Sequence, residues 1–345
     1  MKKPKRLKKG DKVAIVSLSS GIAGDKEFYH RYEIGKKRLE EEFGLKVVTM
    51  PNALIGSSQV YLHPELRAKD LMDAFKDKTI KAIFCNLGGD DTIRILPYID
   101  FEVLKNNPKI FMGYSDTTIN HFMLYKAGIV SYYGPCIMAE FAENVKMHDY
   151  TKNSVFKILF ENSKGYKIIP SQEWTSELLT WMNPDNNKIQ RKMIKDDKGI
   201  EILQGKSDIE GVLIGGCIDT FHMFIGSEIW SRINWKNKIL FLETSEDKPD
   251  PSFISQILRN PLMGKVLRQV KGIIIGKPFD ETYYEEYKTA YLNVIQKELN
   301  LKDLFIGYNY NFGHTAPMCI LPIGTKVKIN IKDGIIEFLE SATKE

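Results

Sequence analysis

KIFMGYSDTT, residues 109–118, leads into the helical run 119–127, and this stretch decides how the first half of the chain folds. The pattern predicts a short apolar strand, a tight turn and a helix. Ser115 lies at the turn, two residues after Gly113, as in a nucleophile elbow, where a sharp turn lifts a serine hydroxyl out of the sheet. Thr117 occupies the place of the motif's second glycine, so a serine that only caps the helix fits the same residues.

Further apolar segments flank this stretch and alternate with helical patterns. They cover residues 12–18, 46–50, 81–87 and 129–133. Strands that alternate with helices predict an α/β domain with a doubly wound, mostly parallel sheet. In such sheets ligands bind beyond the carboxyl ends of the strands, and both Ser115 and the pair Gly88-Gly89 follow strand ends.

A second domain is predicted after an irregular stretch. Between residues 163 and 207 the periodicity gives way to Pro, Asn and a polar run, which is the composition of a loop. Strands recur from Asp208 onward, and a hairpin with a good turn signal ends the chain. The predicted division is a nucleophile domain over residues 1–165, a linker and substrate loop over 166–207, and a C-terminal domain over 208–345.

Charge and composition exclude several classes of protein. The net charge is +5, but residues 1–9 carry six Lys or Arg, and subtracting those six leaves −1 for the rest, which argues against a nucleic-acid surface. No apolar segment reaches the roughly 20 residues that a membrane span needs. The four cysteines are far apart, so we expect free thiols in a reducing cytoplasm, with no metal site and no cofactor.

A serine nucleophile needs a base within hydrogen-bond reach and an acid that orients the base. Among the six histidines, His314 follows a predicted strand in a loop, which suits a base that reaches across a domain boundary. A loop histidine is also commonly just solvent-exposed. His121 lies on the helix after Ser115 and is expected to point away from it, and His222 falls in an apolar run typical of a core.

Glu243 closes an apolar strand and is either an ion-pair partner or a placed functional group. In the second case it would hold the imidazole of His314 in the correct tautomer. The backbone N–H groups of Gly89 and Asp116 would then form an oxyanion hole. A plain tight turn accounts for the glycines equally well, and helix capping is the simpler role for Asp116.

Two tryptophans lie within the otherwise polar stretch between the domains, at Trp174 and Trp181. A tryptophan in such a loop either anchors the loop to the body of the protein or offers a flat face to a ligand. Anchoring is the commoner case.

The placed segments resemble those of peptidase family S66, which holds the LD-carboxypeptidases and the microcin C immunity proteins of the MccF type. The resemblance covers nearly the whole chain. It is carried by KGDKVAIVS at 9–17, GGDD at 88–91, GYSD at 113–116, FLETSE at 241–246 and Gly313-His314. The long loop with its tryptophans and the run 235–249 resemble the MccF-like branch.

This resemblance implies a Ser115–Glu243–His314 triad, with serine as nucleophile, histidine as general base and glutamate as its orienter. It also implies a smaller, β-containing C-terminal domain, an active site in the cleft between the domains, and a homodimer. In the MccF-like branch, loop aromatics stack on the adenine of a processed toxin, and Trp181, with Trp174 second, is the expected counterpart.

The implied function is a serine amidohydrolase that cleaves the amide bond of peptidyl- or aminoacyl-nucleotides of the microcin C kind. An LD-carboxypeptidase that removes the terminal D-alanine from murein tetrapeptides is the alternative with the same triad. A third possibility is a two-domain small-molecule binding protein that performs no chemistry. All three act on small molecules rather than on nucleic-acid polymers or membranes.

Overall fold

The computed structural model describes residues 1–345 and contains two main β-sheets with helices packed around them. The strands are β1 Lys12–Val16, β2 Lys46–Thr49, β3 Ile80–Cys85, β4 Ile110–Gly113, β5 Ser131–Tyr133, β6 Lys167–Ile168, β7 Glu173–Trp174, β8 Ile194–Lys195, β9 Glu201–Gln204, β10 Ile209–Cys217, β11 Lys238–Glu243, β12 Gly272–Gly276, β13 Phe305–Tyr310, β14 Leu321–Ile323, β15 Lys326–Ile329 and β16 Ile336–Phe338.

The helices fill the crossovers between successive strands. They are α1 Tyr29–Glu41, α2 Ser57–Leu62, α3 Pro64–Lys76, α4 Phe101–Asn106, α5 Thr117–Lys126, α6 Asp149–Val155, α7 Phe221–Phe224, α8 Pro251–Arg259, α9 Pro261–Leu267 and α10 Tyr284–Leu292. Helix α10 buries Tyr284, Tyr287 and Tyr291, which recur at the three- and four-residue spacing of one helix face. No helix is long and apolar enough to cross a lipid bilayer.

The first sheet has the strand order β14-β5-β4-β3-β1-β2. Its five N-terminal strands are all parallel, as expected for the predicted doubly wound sheet. The sixth strand, β14, comes from near the C-terminus and pairs antiparallel with β5. This return strand was not predicted, and it attaches a segment of the C-terminal half of the chain to the sheet that carries Ser115.

The second sheet has the order β6-β16-β15-β10-β11-β12-β13-β9. Its centre, β10 to β13, is parallel, and the flanking strands pair antiparallel. The hairpin β15–β16 confirms the C-terminal turn prediction. The stretch predicted as loop is interrupted by short strands, because β6 and β9 hydrogen-bond to the edges of this sheet.

The two sheets share one contiguous hydrophobic core, so the carboxyl ends of β4 and β11 are held in a fixed relation. Helix α5 contacts β10 directly: the N–H of Cys217 donates to Thr118 Oγ1 at 2.9 Å. A Cβ at Gly216 would lie 2.3 Å from that same oxygen, so only glycine allows this approach. The helix that begins after Ser115 therefore packs against the second sheet as well as the first.

Candidate active site

Ser115 sits in a strained turn between β4 and α5. Its φ is 63°, in the left-handed region that a non-glycine residue enters at a cost of about 1–3 kcal/mol. A Cβ on Gly88 would lie 2.7 Å from the Ser115 Cβ, so this glycine leaves room for the turn. The N-cap position of α5 is occupied by Asp116, not by Ser115, and no side-chain capping hydrogen bond is made to the helix. The capping interpretation of Ser115 is therefore wrong, and the geometry is that of an elbow.

Asp116 does not cap the helix with its carboxylate either. One carboxylate oxygen accepts hydrogen bonds from Ser19 Oγ at 2.7 Å and from the N–H of Thr92 at 2.8 Å. Burial raises the pKa of this carboxyl above its usual value, while these two donors oppose the rise. The side chain of Asp116 thus fastens the elbow to two neighbouring loops.

Tyr133 links the elbow to the second sheet. The N–H of Ser115 donates to its hydroxyl oxygen at 3.2 Å, and the hydroxyl donates to Glu243 Oε1. Burial, and then the adjacent Glu243 carboxylate, raise the pKa of Tyr133 well above its ordinary value, so the phenol keeps its proton and acts as a donor. One side chain therefore contacts both the backbone of the candidate nucleophile and the candidate acid.

Glu243 is fully buried at the end of β11. Its Oε2 lies 2.7 Å from His314 Nδ1, which donates to it. Two glycines make room for this carboxylate, because a Cβ at Gly313 would lie 2.6 Å from Oε2 and one at Gly276 would lie 2.8 Å from the Glu243 Cβ. The predicted pairing of histidine and glutamate is therefore present in the structure.

The other ring nitrogen of His314 faces a second carboxylate: Nε2 lies 3.2 Å from Glu246 Oε2. Burial opposes the charge on the imidazolium, but attraction by Glu243, then by Glu246 and Asp219, outweighs it and raises the pKa of His314 to about 9. No hydrogen bond joins His314 to the Ser115 hydroxyl in this arrangement, although both residues line the same cavity.

That cavity has a volume of about 870 Å³ and opens where the two sheets meet. It is lined by Gly89, Ser115, Trp181 and His314, among others. The cavity therefore brings together most of the residues that the sequence analysis singled out.

The two backbone N–H groups predicted for an oxyanion hole are those of Gly89 and Asp116. Neither donates a hydrogen bond to another protein group. The Asp116 nitrogen lies 3.4 Å from where a Gly88 Cβ would be, so it adjoins the turn that carries the serine.

The two tryptophans have different surroundings. Trp181 is half-buried on the cavity wall, with the Arg31 guanidinium carbon 4.8 Å from its ring centroid and its carbonyl oxygen 2.8 Å from His30 Nε2. Trp174 is buried, lies under the Lys277 ammonium, and is not part of the cavity wall. The structure thus gives Trp174 the surroundings of an anchor and does not bring it to the site.

Two other histidines, His121 and His222, were assigned surroundings from the sequence that the structure tests. His121 is buried and bonded to Ser131 Oγ and the Gly113 carbonyl, and burial lowers its pKa to about 4, which agrees with its predicted exclusion. The core assignment of His222 is wrong: this side chain is exposed and lines the cavity, because one face of the short helix α7 is turned outward.

Three contributors escaped the sequence analysis: Tyr133, Arg31 and Glu246. Tyr133 pairs in register with Gly113, two residues before the serine, so its position at the end of the adjacent strand was an available signal. Arg31 is buried and its guanidinium reaches Asn144 and Asn187, a contact between distant segments that no local pattern announces.

Family models match the two halves of the chain. The LD-carboxypeptidase N-terminal domain matches residues 13–134, and the LD-carboxypeptidase C-terminal domain matches residues 210–329. The chain belongs to peptidase family S66. Membership in this family of peptidases agrees with the resemblance drawn from the sequence.

Individual relatives include an MccF protein and a murein peptide carboxypeptidase. The chain is 28% identical to the microcin C7 self-immunity protein MccF of Escherichia coli, over 96% of this chain and 94% of that one. It is 27% identical to a probable murein peptide carboxypeptidase of Bacillus subtilis, over 97% and 94% of the two chains.

The similar solved structures are those of MccF and MccF-like proteins. An MccF-like protein from Streptococcus pneumoniae in complex with AMP superposes with a TM-score of 0.87 at 34% identity, covering 95% of this chain and 98% of that one. MccF in complex with aspartyl sulfamoyl adenosine gives 0.84 at 25% identity, with complete coverage of both chains, 100% each.

The hydroxyl of Tyr133 gives a direct test of how the site is assembled. Tyr133→Phe removes the group that joins the Ser115 N–H to Glu243 and leaves a buried polar group unpaired, a loss of about 1–3 kcal/mol. We expect kcat to fall by roughly 5- to 150-fold if that loss is felt in the transition state. Steady-state kinetics of amide hydrolysis measures it.

Tyr132→Phe is the matched control. Its hydroxyl is equally buried but donates to the Ala342 carbonyl at 2.9 Å, on the opposite face of the strand. This variant should lose thermal stability without a comparable loss of kcat. Equal kcat losses in the two variants would show that Tyr133 acts only through folding.

Proposed function

We propose that this chain is a serine hydrolase in which Ser115, His314 and Glu243 form the catalytic triad. The bond between His314 Nδ1 and Glu243 Oε2 is the observation that carries the proposal, because it fixes the imidazole with Nε2 facing the cavity. The strained Ser115 turn on the same cavity supplies the nucleophile. A protein that only binds its ligand has no need of this arrangement.

The reaction begins when substrate entry separates Nε2 of His314 from Glu246. Loss of that carboxylate lowers the pKa of the imidazole, and the Nε2 proton is released to solvent to leave a neutral base. His314 then accepts the Ser115 proton as Oγ attacks the acyl carbon, and Glu243 stabilises the imidazolium. The proton passes to the leaving nitrogen, and water, activated by the same histidine, releases the acyl group from Ser115.

The N–H groups of Gly89 and Asp116 are proposed to bind the developing oxyanion. Both are free of other protein acceptors and follow strand ends beside the serine. Donors that are fixed before the reaction stabilise developing charge without reorganisation, an effect of about 2.7–4 kcal/mol for one donor.

We propose peptidyl- or aminoacyl-nucleotides as the substrates, cleaved at the amide bond in detoxification or immunity of the microcin C type. Trp181 supports this, since it offers a half-buried indole on the cavity wall that could stack on a base. The related structures contain AMP and aspartyl sulfamoyl adenosine. Residues 166–207 would act as the substrate loop between a domain of residues 1–165 and one of 208–345, in a cytoplasmic homodimer.

An LD-carboxypeptidase activity on murein tetrapeptides is the second candidate. It is favoured by the family itself and by the murein peptide carboxypeptidase among the relatives. Arg31 and Arg191 line the same cavity, but the Arg31 guanidinium bonds to Asn144 and Asn187 and that of Arg191 pairs with Glu143, so neither is free for a peptide carboxylate.

Parallel assays distinguish the candidates. We expect turnover of an aspartyl-nucleotide amide to exceed release of D-alanine from an L,D-tetrapeptide, and Ser115→Ala to lower kcat by several orders of magnitude on whichever substrate is used. Liquid chromatography of the products measures both reactions. Near-normal turnover by Ser115→Ala would contradict the triad, whereas faster release of D-alanine would contradict only the substrate.

Trp181→Ala tests the stacking. Loss of a base–aromatic stack of about 1–3 kcal/mol should lower kcat/KM for the nucleotide substrate by roughly 5- to 150-fold. The tetrapeptide reaction should change little. Met182→Ala is the control, because Met182 is exposed on the same loop and is not part of the cavity wall. Equal losses on both substrates would show that Trp181 only shapes the loop.

A further inference from the structure

Cys217 belongs to no part of the proposed reaction, yet its thiol lies beside two members of the triad. Donor atoms of Cys217, Glu243 and His314 all lie within 4.8 Å of one another. It is the one group of three or more potential metal-ligating side chains in the chain that converges in this way. Sequence spacing does not reveal this cluster, because the three residues come from separate segments and the cysteines are widely spaced.

The backbone holds these donors together. Cys217 ends β10 and pairs in register with Glu243, which ends the parallel neighbour β11. The N–H of Cys217 is held by Thr118 Oγ1, and the position of His314 is fixed by its bond to Glu243. Convergence is therefore a property of two paired strands and one ordered loop, not of chance rotamers on a mobile surface.

The donor set suits Zn²⁺. Thiolate, imidazole and carboxylate are its usual protein ligands, at about 2.0–2.3 Å, so neighbouring ligand atoms in a tetrahedral site are roughly 3.5 Å apart. Separations within 4.8 Å need only small side-chain movements to reach this geometry. Cys217 and His314 also line the cavity, which gives an ion a route in and leaves a fourth position for water.

We propose that Cys217, Glu243 and His314 bind Zn²⁺ reversibly and that the bound ion holds the hydrolase inactive. The inhibitory part rests on the proposed function; the metal site does not. On binding, the thiol proton and the proton between His314 and Glu243 pass to solvent, and the three side chains donate electron pairs to the ion. The imidazole then has neither its orienting partner nor its freedom to accept the Ser115 proton.

Cobalt binding tests the site without any assay of activity. Titration of the full-length protein with Co²⁺ alone should produce thiolate-to-cobalt charge-transfer absorption that saturates at one ion per chain, and added Zn²⁺ should abolish it. Cys217→Ser should lack that absorption and bind Zn²⁺ at least about tenfold more weakly, since loss of even a partner that only orients a ligand costs that much. Cys319→Ser is the matched control, because Cys319 is also a buried free thiol but lies outside the cluster.

The second arm measures inhibition. Each variant is assayed with Zn²⁺ and again with EDTA, and only the ratio of the two rates is compared. The wild-type chain and Cys319→Ser should lose at least about tenfold in rate with Zn²⁺ and recover with EDTA, and Cys217→Ser should be far less sensitive. If Cys217→Ser does not fold, Cys217→Ala takes its place.

The outcomes separate the two proposals. Absence of thiolate absorption in the wild-type chain, or an equal cobalt spectrum in Cys217→Ser, would overturn the metal site. Cobalt binding through Cys217 in a chain that hydrolyses no substrate would uphold the metal site and reject the proposed function. Binding through Cys217 without loss of rate would overturn the inhibitory role.

Discussion

The arrangement of this site depends on one buried hydroxyl. Tyr133 accepts a hydrogen bond from the backbone of Ser115 in the first sheet and donates one to Glu243 in the second. Because burial and the neighbouring carboxylate keep the phenol protonated, the direction of the second bond is fixed. The contact between Cys217 and Thr118 adds a further tie between the sheets nearby. The proposed nucleophile and its proposed acid are thus positioned by one shared group rather than by two independent domains.

Electrostatics around His314 explain why no hydrogen bond joins its imidazole to Ser115 in the structure. Two carboxylates flank the imidazole, one at each ring nitrogen. The Ser115 hydroxyl bonds to neither nitrogen. Glu243 is buried and held against the imidazole, whereas Glu246 is half exposed and has room to move away from it. Catalytic hydrogen bonds are often long or absent before substrate binds. In this account a ligand that displaces Glu246 frees the nitrogen that the reaction needs.

The sequence predicted those features that local patterns encode. The alternation of strands and helices predicted the parallel sheet. Ser115 and Glu243 became candidates because they follow or close apolar strands, and a buried strand has a clear apolar boundary in the sequence. The return of β14 to the first sheet was missed, since three residues including Pro322 do not reveal which sheet edge they join. His222 was misjudged because apolar neighbours in a four-residue helix need not share its face.

Contacts between distant segments set the remaining details of the site. Trp174 and Trp181 both lie in a polar stretch of the sequence. In the structure Trp174 packs under Lys277, whereas Trp181 lines the cavity. Cys217 looked like an isolated thiol until the register of two parallel strands placed it beside Glu243. Pairings of this kind depend on the assembled sheets, so no window of sequence contains them.

Intact-protein mass spectrometry during turnover tests the central claim most directly. The enzyme is mixed with an aminoacyl-nucleotide amide, quenched in acid within milliseconds, and digested to locate any added mass. The account predicts an increase equal to the acyl group on the peptide that contains Ser115, absent when that serine is alanine. Hydrolysis that proceeds with no acylated peptide, or with the acyl group on another residue, would contradict it.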